Sequence, residues 1–316
     1  MSKGASNPIP PRLQALTASL RVSPGTEVHL PADFNPASTH GFPNKAAAKR
    51  TLEEVIELLG EYQTRLAAEA RHGVVVVIQG IDASGKDGVI KHVMTGVNPA
   101  GVNVHSFKVP SAEELSHDYL WRYQKQLPPR GKIAIFNRSH YEEVLVVRVH
   151  PEHLDRQMLP SPGNRHNVWA QRYREINDWE RYLAVNGIRM VKIFLNLSKD
   201  EQRKRFLRRI DTPSKNWKFS VADVQERASW DDYQRAFAEM LTNTSSDVAP
   251  WHVVPADHKW FTRLAVASIL VDELMRLDPA FPTPSKEASE ALAAARKGLL
   301  REKARSRGQP PQDLCA

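Results

Sequence analysis

Two hydrophobic patterns alternate along the middle of the chain. Val74-Val-Val-Val-Ile78, Ile133-Ala-Ile-Phe136, the stretch 189–197 with Met190, Val191, Ile193, Phe194 and Leu195, and Trp251–Pro255 are short apolar runs with little polar alternation. A strand buried on one face alternates, whereas a strand covered on both faces does not, so these runs predict strands of a parallel sheet. Residues 102–108 suit one more strand. Between the runs, apolar residues fall at helical spacing. Leu52, Val55, Leu58, Leu59, Tyr62 and Leu66 predict a helix over 46–71. Further helices are expected at about 87–97, 111–127, 165–186, 199–210, 221–242 and 261–277. Ser111 with Glu114 three positions on reads as a capping box. Strands alternating with helices predict an α/β fold, a doubly wound parallel sheet.

The flanks differ from the middle. Residues 1–45 are rich in Pro, Ala and polar groups and are expected to form an extended N-terminal arm. After Pro279 apolar periodicity fades, and 285–307 reads as a basic helix, mobile or lying on the surface. The expected division is an arm over 1–45, one α/β domain over 46–280 and a basic tail over 281–316.

Composition narrows the function. The chain has 316 residues, 41% of them hydrophobic, enough for one large α/β domain or two small ones. No run approaches ~18 apolar residues, so no membrane span is expected. The N-terminus has no apolar signal core, and a cytoplasmic protein is expected. Cys315 is the sole cysteine, which excludes an internal disulfide or a cysteine metal site. The formal charge of +8 suits a polyanionic partner: nucleic acid, nucleotide or polyphosphate.

Candidate chemistry begins behind the first strand. Gly80-Ile-Asp-Ala-Ser-Gly-Lys-Asp-Gly88 fits the phosphate-binding loop G-x-x-x-x-G-K-[S/T] except at its last place. Gly80 and Gly85 permit the tight backbone. The N–H groups of Ala83, Ser84, Gly85, Lys86, Asp87 and Gly88, with the following helix dipole, are expected to surround phosphate. Lys86 adds a point charge. Asp87 stands where a hydroxyl ordinarily holds Mg²⁺, and a carboxylate is also a hard oxygen ligand. Asp82 is a second carboxylate beside the same phosphates. It needs a metal ion between them or acts on the acceptor.

The third predicted strand ends in Asn137-Arg138, where open α/β sheets bind ligands. Phosphate-loop enzymes usually hold magnesium there with Asp. Asn137 is a neutral oxygen ligand instead, and Glu142 and Glu143 can restore the missing charge. Arg138 suits bidentate contact with phosphate oxygens. Farther on, 201–218 carries Arg203, Lys204, Arg205, Arg208, Arg209, Lys215 and Lys218 against Glu201 and Asp211. Arg205, Arg208 and Arg209 share one helical face. The segment at about 200–222 reads as a lid that closes over phosphates, more basic than a mononucleotide needs.

The loop Gly80–Gly88, Ser116-His-Asp-Tyr-Leu-Trp-Arg122, Phe136-Asn-Arg-Ser-His-Tyr-Glu-Glu143 and Ala249-Pro-Trp…Pro255-Ala-Asp-His-Lys259 resemble the polyphosphate kinase 2 family in order over about residues 30–280. The resemblance implies a P-loop kinase-like, thymidylate kinase-like three-layer α/β/α fold with a helical lid, and Mg²⁺-dependent phosphoryl transfer between inorganic polyphosphate and a nucleotide. It implies catalytic Asp82, Lys86 and Arg138, metal ligands among Asp82, Asp87, Asn137 and Glu142, lid arginines at Arg205, Arg208 and Arg209, and a homo-oligomer. Asn137 followed by Val144-Leu-Val-Val-Arg-Val-His-Pro151 is similar to the class III branch, associated with both AMP and ADP; guanine nucleotides stay open. An ATP-dependent nucleotide kinase shares the loop and lid but needs no long basic channel. A nucleic-acid-binding protein would account for the charge but not for the loop.

Overall fold

The computed structural model describes residues 10–159 and 167–306. The chain divides after Pro279 into a body and a C-terminal segment. The body opens with helices α1 (Pro11–Leu20) and α2 (Lys45–Glu69), then strand β1 (Gly73–Gln79) and helix α3 (Lys86–Val93). Strand β2 (Val102–Ser106), the short helices α4 (Ala112–Leu115) and α5 (Trp121–Gln124) and strand β3 (Ile133–Asn137) follow. Next come α6 (Val146–Val149), α7 (Val168–Val185), β4 (Ile188–Asn196), α8 (Lys199–Ile210), α9 (Val221–Gln225) and α10 (Trp230–Thr244). Strand β5 (Trp251–Pro255) and helix α11 (Lys259–Leu277) complete the body, and the C-terminal segment carries α12 (Lys286–Ser306).

The five strands are all parallel, in the order β2-β3-β1-β4-β5. Every residue of β1 is buried. Val74, Val76 and Ile78 face a core shared with Leu59 and Leu66 of α2 and Leu264 of α11. Val75 and Val77 face the opposite core, with Phe136, Ile176 and Phe237. Burial on both faces is the reason the run lacks polar alternation. The connection leaving β1 runs to one side of the sheet and that leaving β4 to the other. The carboxyl end of β1 therefore lies at a switch of winding direction, where such sheets hold ligands.

Lys192 is a fully buried cation inside a strand. It lies in β4, and its ammonium donates to Glu180 (2.6 Å), the Thr244 carbonyl (2.6 Å) and the Tyr141 hydroxyl (2.9 Å).

Three expectations are corrected. The N-terminal arm is not extended over 11–20. Leu13, Leu16 and Leu20 share one face of α1 and enter the core beside α11, and the Thr17 hydroxyl donates to Asp272 (3.1 Å). Pro11 at the first helical position costs no hydrogen bond there. Beyond it, the Phe34 carbonyl accepts from Asn196 (2.7 Å) and the Pro36 carbonyl from the Asp257 amide (3.1 Å), which pins this stretch to the ends of β4 and β5. The single helix expected over 111–127 is two short ones. The capping box of Ser111 and Glu114 starts α4, and Asp118 then turns the chain by accepting from the Leu120 amide (2.9 Å). The helix expected over 221–242 is broken by a 3-10 turn at Glu226–Ser229 between α9 and α10. Of the helix expected over 165–186, the first two positions lie outside the described residues.

Candidate functional site

The loop after β1 curls tightly because its backbone leaves ordinary conformations. Gly80 has φ +153°, and a Cβ there would lie 2.8 Å from the Ser84 hydroxyl and 3.0 Å from the Leu195 carbonyl. Ala83 (φ +65°) and Gly85 (φ +105°) complete the curl, and α3 starts directly at Lys86. The first-turn N–H groups of α3 have no partner within the helix and carry its positive end into the cleft. Lys86 is buried, and its ammonium donates back to the Gly80 carbonyl (2.6 Å) and the Ile81 carbonyl (3.4 Å). Burial, then the Arg138 charge, pushes its pKa down to about 8, against the opposing pull of Asp82, Glu142 and Asp87.

Arg138 follows β3 directly, itself at φ +64°, its amide tied to the Ile78 carbonyl (3.2 Å). Its guanidinium bridges two carboxylates. One nitrogen donates to Asp82 (2.5 Å), the other to Glu142 (3.1 Å), and Glu142 foremost raises the arginine's pKa. Asn137 donates from its amide nitrogen to Asp87 (2.9 Å) and Ser106 (3.4 Å), so its carbonyl oxygen is the atom left for a cation. The structure thus pairs Asp82 with Glu142 through Arg138, and Asp87 with Asn137. Glu143 is corrected: it is buried away from the loop, bonded to Arg172 (2.7 Å) and Gln157 (2.7 Å).

An open cleft of ≈ 730 Å³ runs over these residues. Lys86, Lys108, Arg138, Arg208, Arg209, Lys215, Lys259 and Arg263 line it against the carboxylates of Asp82 and Asp87. Arg208, more than half exposed, is 3.5 Å from Glu201; Arg209 is 3.6 Å from Asp223. Arg205 departs from the expected shared face. Its side chain is buried and directed at protein oxygens: Glu201 and the carbonyls of Ala83, Ser84, Ala256 and Asp257. A guanidinium has five N–H donors, and these contacts engage them all.

Sequence reasoning missed Lys108 and Arg263, and gave Lys259 no role beyond closing a quoted motif. Each stands just beyond the carboxyl end of a strand or on the first turns of the helix after it, which is the signal that could have found them. Lys259 sits close enough to Arg205 and Arg208 that burial and their charges lower its pKa. Arg122, in one of the quoted motifs, has a supporting role. It is buried against Glu114 (3.2 Å) and donates to the Lys108 carbonyl (2.9 Å). Behind Arg138 a smaller cavity is lined by Asp82, Glu142, Asp223, Glu226 and Tyr233, also unforeseen. Burial and then the Asp82 charge raise the pKa of Asp223.

Such a site can hold several linked phosphates and neutralise charge in transit between them. The family model of polyphosphate kinase 2 matches residues 43–282. The chain belongs to the polyphosphate kinase 2 family. It is 46% identical to an ADP-polyphosphate phosphotransferase of Rhodopseudomonas palustris, over 90% of this chain and 99% of the relative. It is 44% identical to an AMP/ADP-polyphosphate phosphotransferase of Meiothermus ruber, over 86% of this chain and 97% of the relative. The crystal structure of a polyphosphate kinase 2 from Arthrobacter aurescens superposes with TM-score 0.79 at 39% identity, covering 89% of this chain and 96% of that one. As a polyphosphate kinase 2 family member the protein is an enzyme, a phosphotransferase, with the P-loop kinase-like fold that its parallel sheet expresses.

Proposed function

We propose that this enzyme transfers the terminal phosphoryl group of inorganic polyphosphate to ADP and to AMP, reversibly. The observation that carries the reading is the number of cations on one cleft, the eight lysines and arginines from Lys86 to Arg263 named above, more than the phosphates of one mononucleotide need. The names of the Rhodopseudomonas and Meiothermus relatives agree with it. Polyphosphate lies along the cleft with its end at Lys86 and the α3 N-terminus. An oxygen of the acceptor phosphate, already ionised near neutral pH, attacks the terminal phosphorus in line. The bond to the rest of the chain breaks, and the donor leaves one phosphate shorter. Such transfer asks for positioning and charge neutralisation more than for a base. Lys86, Arg138 and the loop N–H groups do this at the transferred group, while Arg208, Arg209, Lys259 and Arg263 hold the donor chain.

The oxygen donors fit magnesium. The carboxylates of Asp82 and Asp87 and the carbonyl oxygen of Asn137 line one cleft, and Mg²⁺ favours one or two carboxylates together with phosphate oxygens and water. Glu142 supports this set through Arg138 rather than by direct contact. Held by Asp82, Asp87 and Asn137, such an ion would supply positive charge to neutralise the phosphates.

The deciding assay offers ADP, AMP or GDP with polyphosphate of defined length and no other donor, with and without Mg²⁺. ATP formed from ADP supports the reading; a need for ATP as donor selects the nucleotide-kinase alternative. Asp82→Asn abolishes transfer with an unchanged circular dichroism spectrum, and near-normal activity of this variant overturns the assignment.

A further inference from the structure

Helix α8 carries the arginines expected to close over substrate, yet its buried face holds the phosphate loop from behind. Gln202 donates to the Asp82 carbonyl (2.9 Å). Arg205 donates from one nitrogen to the carbonyls of Ala83 (3.0 Å) and Ser84 (2.8 Å). Three consecutive loop carbonyls are thus drawn toward one helix. Arg205 also donates to the carbonyls of Ala256 (2.5 Å) and Asp257 (3.3 Å), in the turn that leads into Lys259.

Each peptide unit is planar and trans, so its N–H points opposite to its C=O. Drawing the carbonyls of Asp82, Ala83 and Ser84 toward α8 aims the amides of Ala83, Ser84 and Gly85 the other way. The Ser84 amide closes the loop on the Ile81 carbonyl (3.0 Å). Those of Ala83 and Gly85 are directed away from α8. We propose that Arg205 is a positioning residue: with Gln202 it sets the peptide planes of the phosphate loop, and it fixes that loop against the turn that carries Lys259. This rests on the proposed phosphoryl transfer for its purpose, though not for its geometry. A guanidinium suits the task because its rigid fork reaches the loop and the turn at once, which a single ammonium cannot. Glu201, on the preceding turn of α8, holds the guanidinium in register (2.9 Å).

The test compares Arg205→Lys, Arg205→Ala and Arg208→Ala by hydrogen exchange of the peptide spanning 80–88, by binding of inorganic tripolyphosphate across a salt series, and by steady-state kinetics. In Arg205→Lys, loop amides exchange about tenfold faster while the strands keep their protection, and kcat falls at least about tenfold. Added guanidinium chloride restores part of the activity of Arg205→Ala. Arg208→Ala does the reverse: loop exchange is unchanged, KM for polyphosphate rises and the salt dependence of binding weakens. Unchanged loop exchange in Arg205→Lys, or a pattern like that of Arg208→Ala, overturns the proposal. Should neither Arg205 variant fold, Gln202→Met, which frees the Asp82 carbonyl and, away from the loop, removes the acceptor of Arg227, serves instead, and an unchanged loop in that variant is the overturning result. Exchange is read without substrate, so it stands apart from ATP formation by the unsubstituted enzyme, which tests the function itself.

Discussion

Lys86 stands between two opposed requirements. Phosphate needs it as an ammonium, while burial and Arg138 lower its pKa to about 8 from the ordinary 10.5. Free enzyme therefore loses the charge as pH rises through about 8, and kcat/KM for polyphosphate falls there. Bound phosphates favour the ammonium, so the corresponding limb in kcat lies at higher pH. Initial rates across that range check both limbs. Stability moves oppositely. Between about 8 and 10.5 the unfolded chain binds more protons at this group than the folded one, so unfolding free energy rises with pH in that window. The buried charge costs on the order of 3 kcal/mol below it. Lys86→Met is accordingly expected to lose at least about a thousandfold in transfer while melting no lower than the parent. An active Lys86→Met, or one that melts markedly lower, contradicts this. The loop glycines, Lys86, Asn137 and Arg138 were legible because a strand end and a fixed spacing select them. The engagement of Arg205 was not, because an arginine facing inward on a helix reads the same as one facing out. Glu143 misled for a related reason: adjacency to Glu142 says nothing of which way a 3-10 turn aims it.

At the scale of elements, β1, β3, β4 and β5 were legible because two-sided burial leaves an apolar run, while β2, largely exposed at the sheet edge, showed only a short mixed stretch. Helix α1 was not, since a Pro-rich neighbourhood masked the spacing of Leu13, Leu16 and Leu20. The breaks between α4 and α5 and between α9 and α10 were invisible because apolar periodicity continues across a short turn. Leu16, 4% exposed, anchors α1 in the core. Leu16→Ala is expected to cost about 2–5 kcal/mol in urea unfolding with little change in kcat, because α1 contributes no side chain to the cleft. Lys192 makes the complementary case. Glu180→Gln leaves its ammonium buried without a counter-charge and is expected to destabilise by about 3–5 kcal/mol, read the same way.

Across the whole molecule, a formal +8 forecast a polyanion but not where it lies. The cleft gathers cations from the ends of β2, β3 and β5 and from α8, segments far apart in sequence, and no single stretch announces them. Binding of a linear polyanion to such a surface releases condensed counterions and weakens with salt. Lys259→Ala and Arg263→Ala are each expected to lower the slope of log affinity against log salt by about one and to raise KM for long polyphosphate more than for ADP. Titration of tripolyphosphate and of longer chains at several salt concentrations distinguishes this from a general loss of folding.

The contact of α1 with α11 joins residues 255 positions apart, Thr17 and Asp272. During synthesis the leucines of α1 emerge long before their partner helix, which leaves the ribosome only after almost the entire body. A nascent chain thus presents Leu13, Leu16 and Leu20 as an uncovered apolar stripe, a handle for chaperones that vanishes once α11 docks.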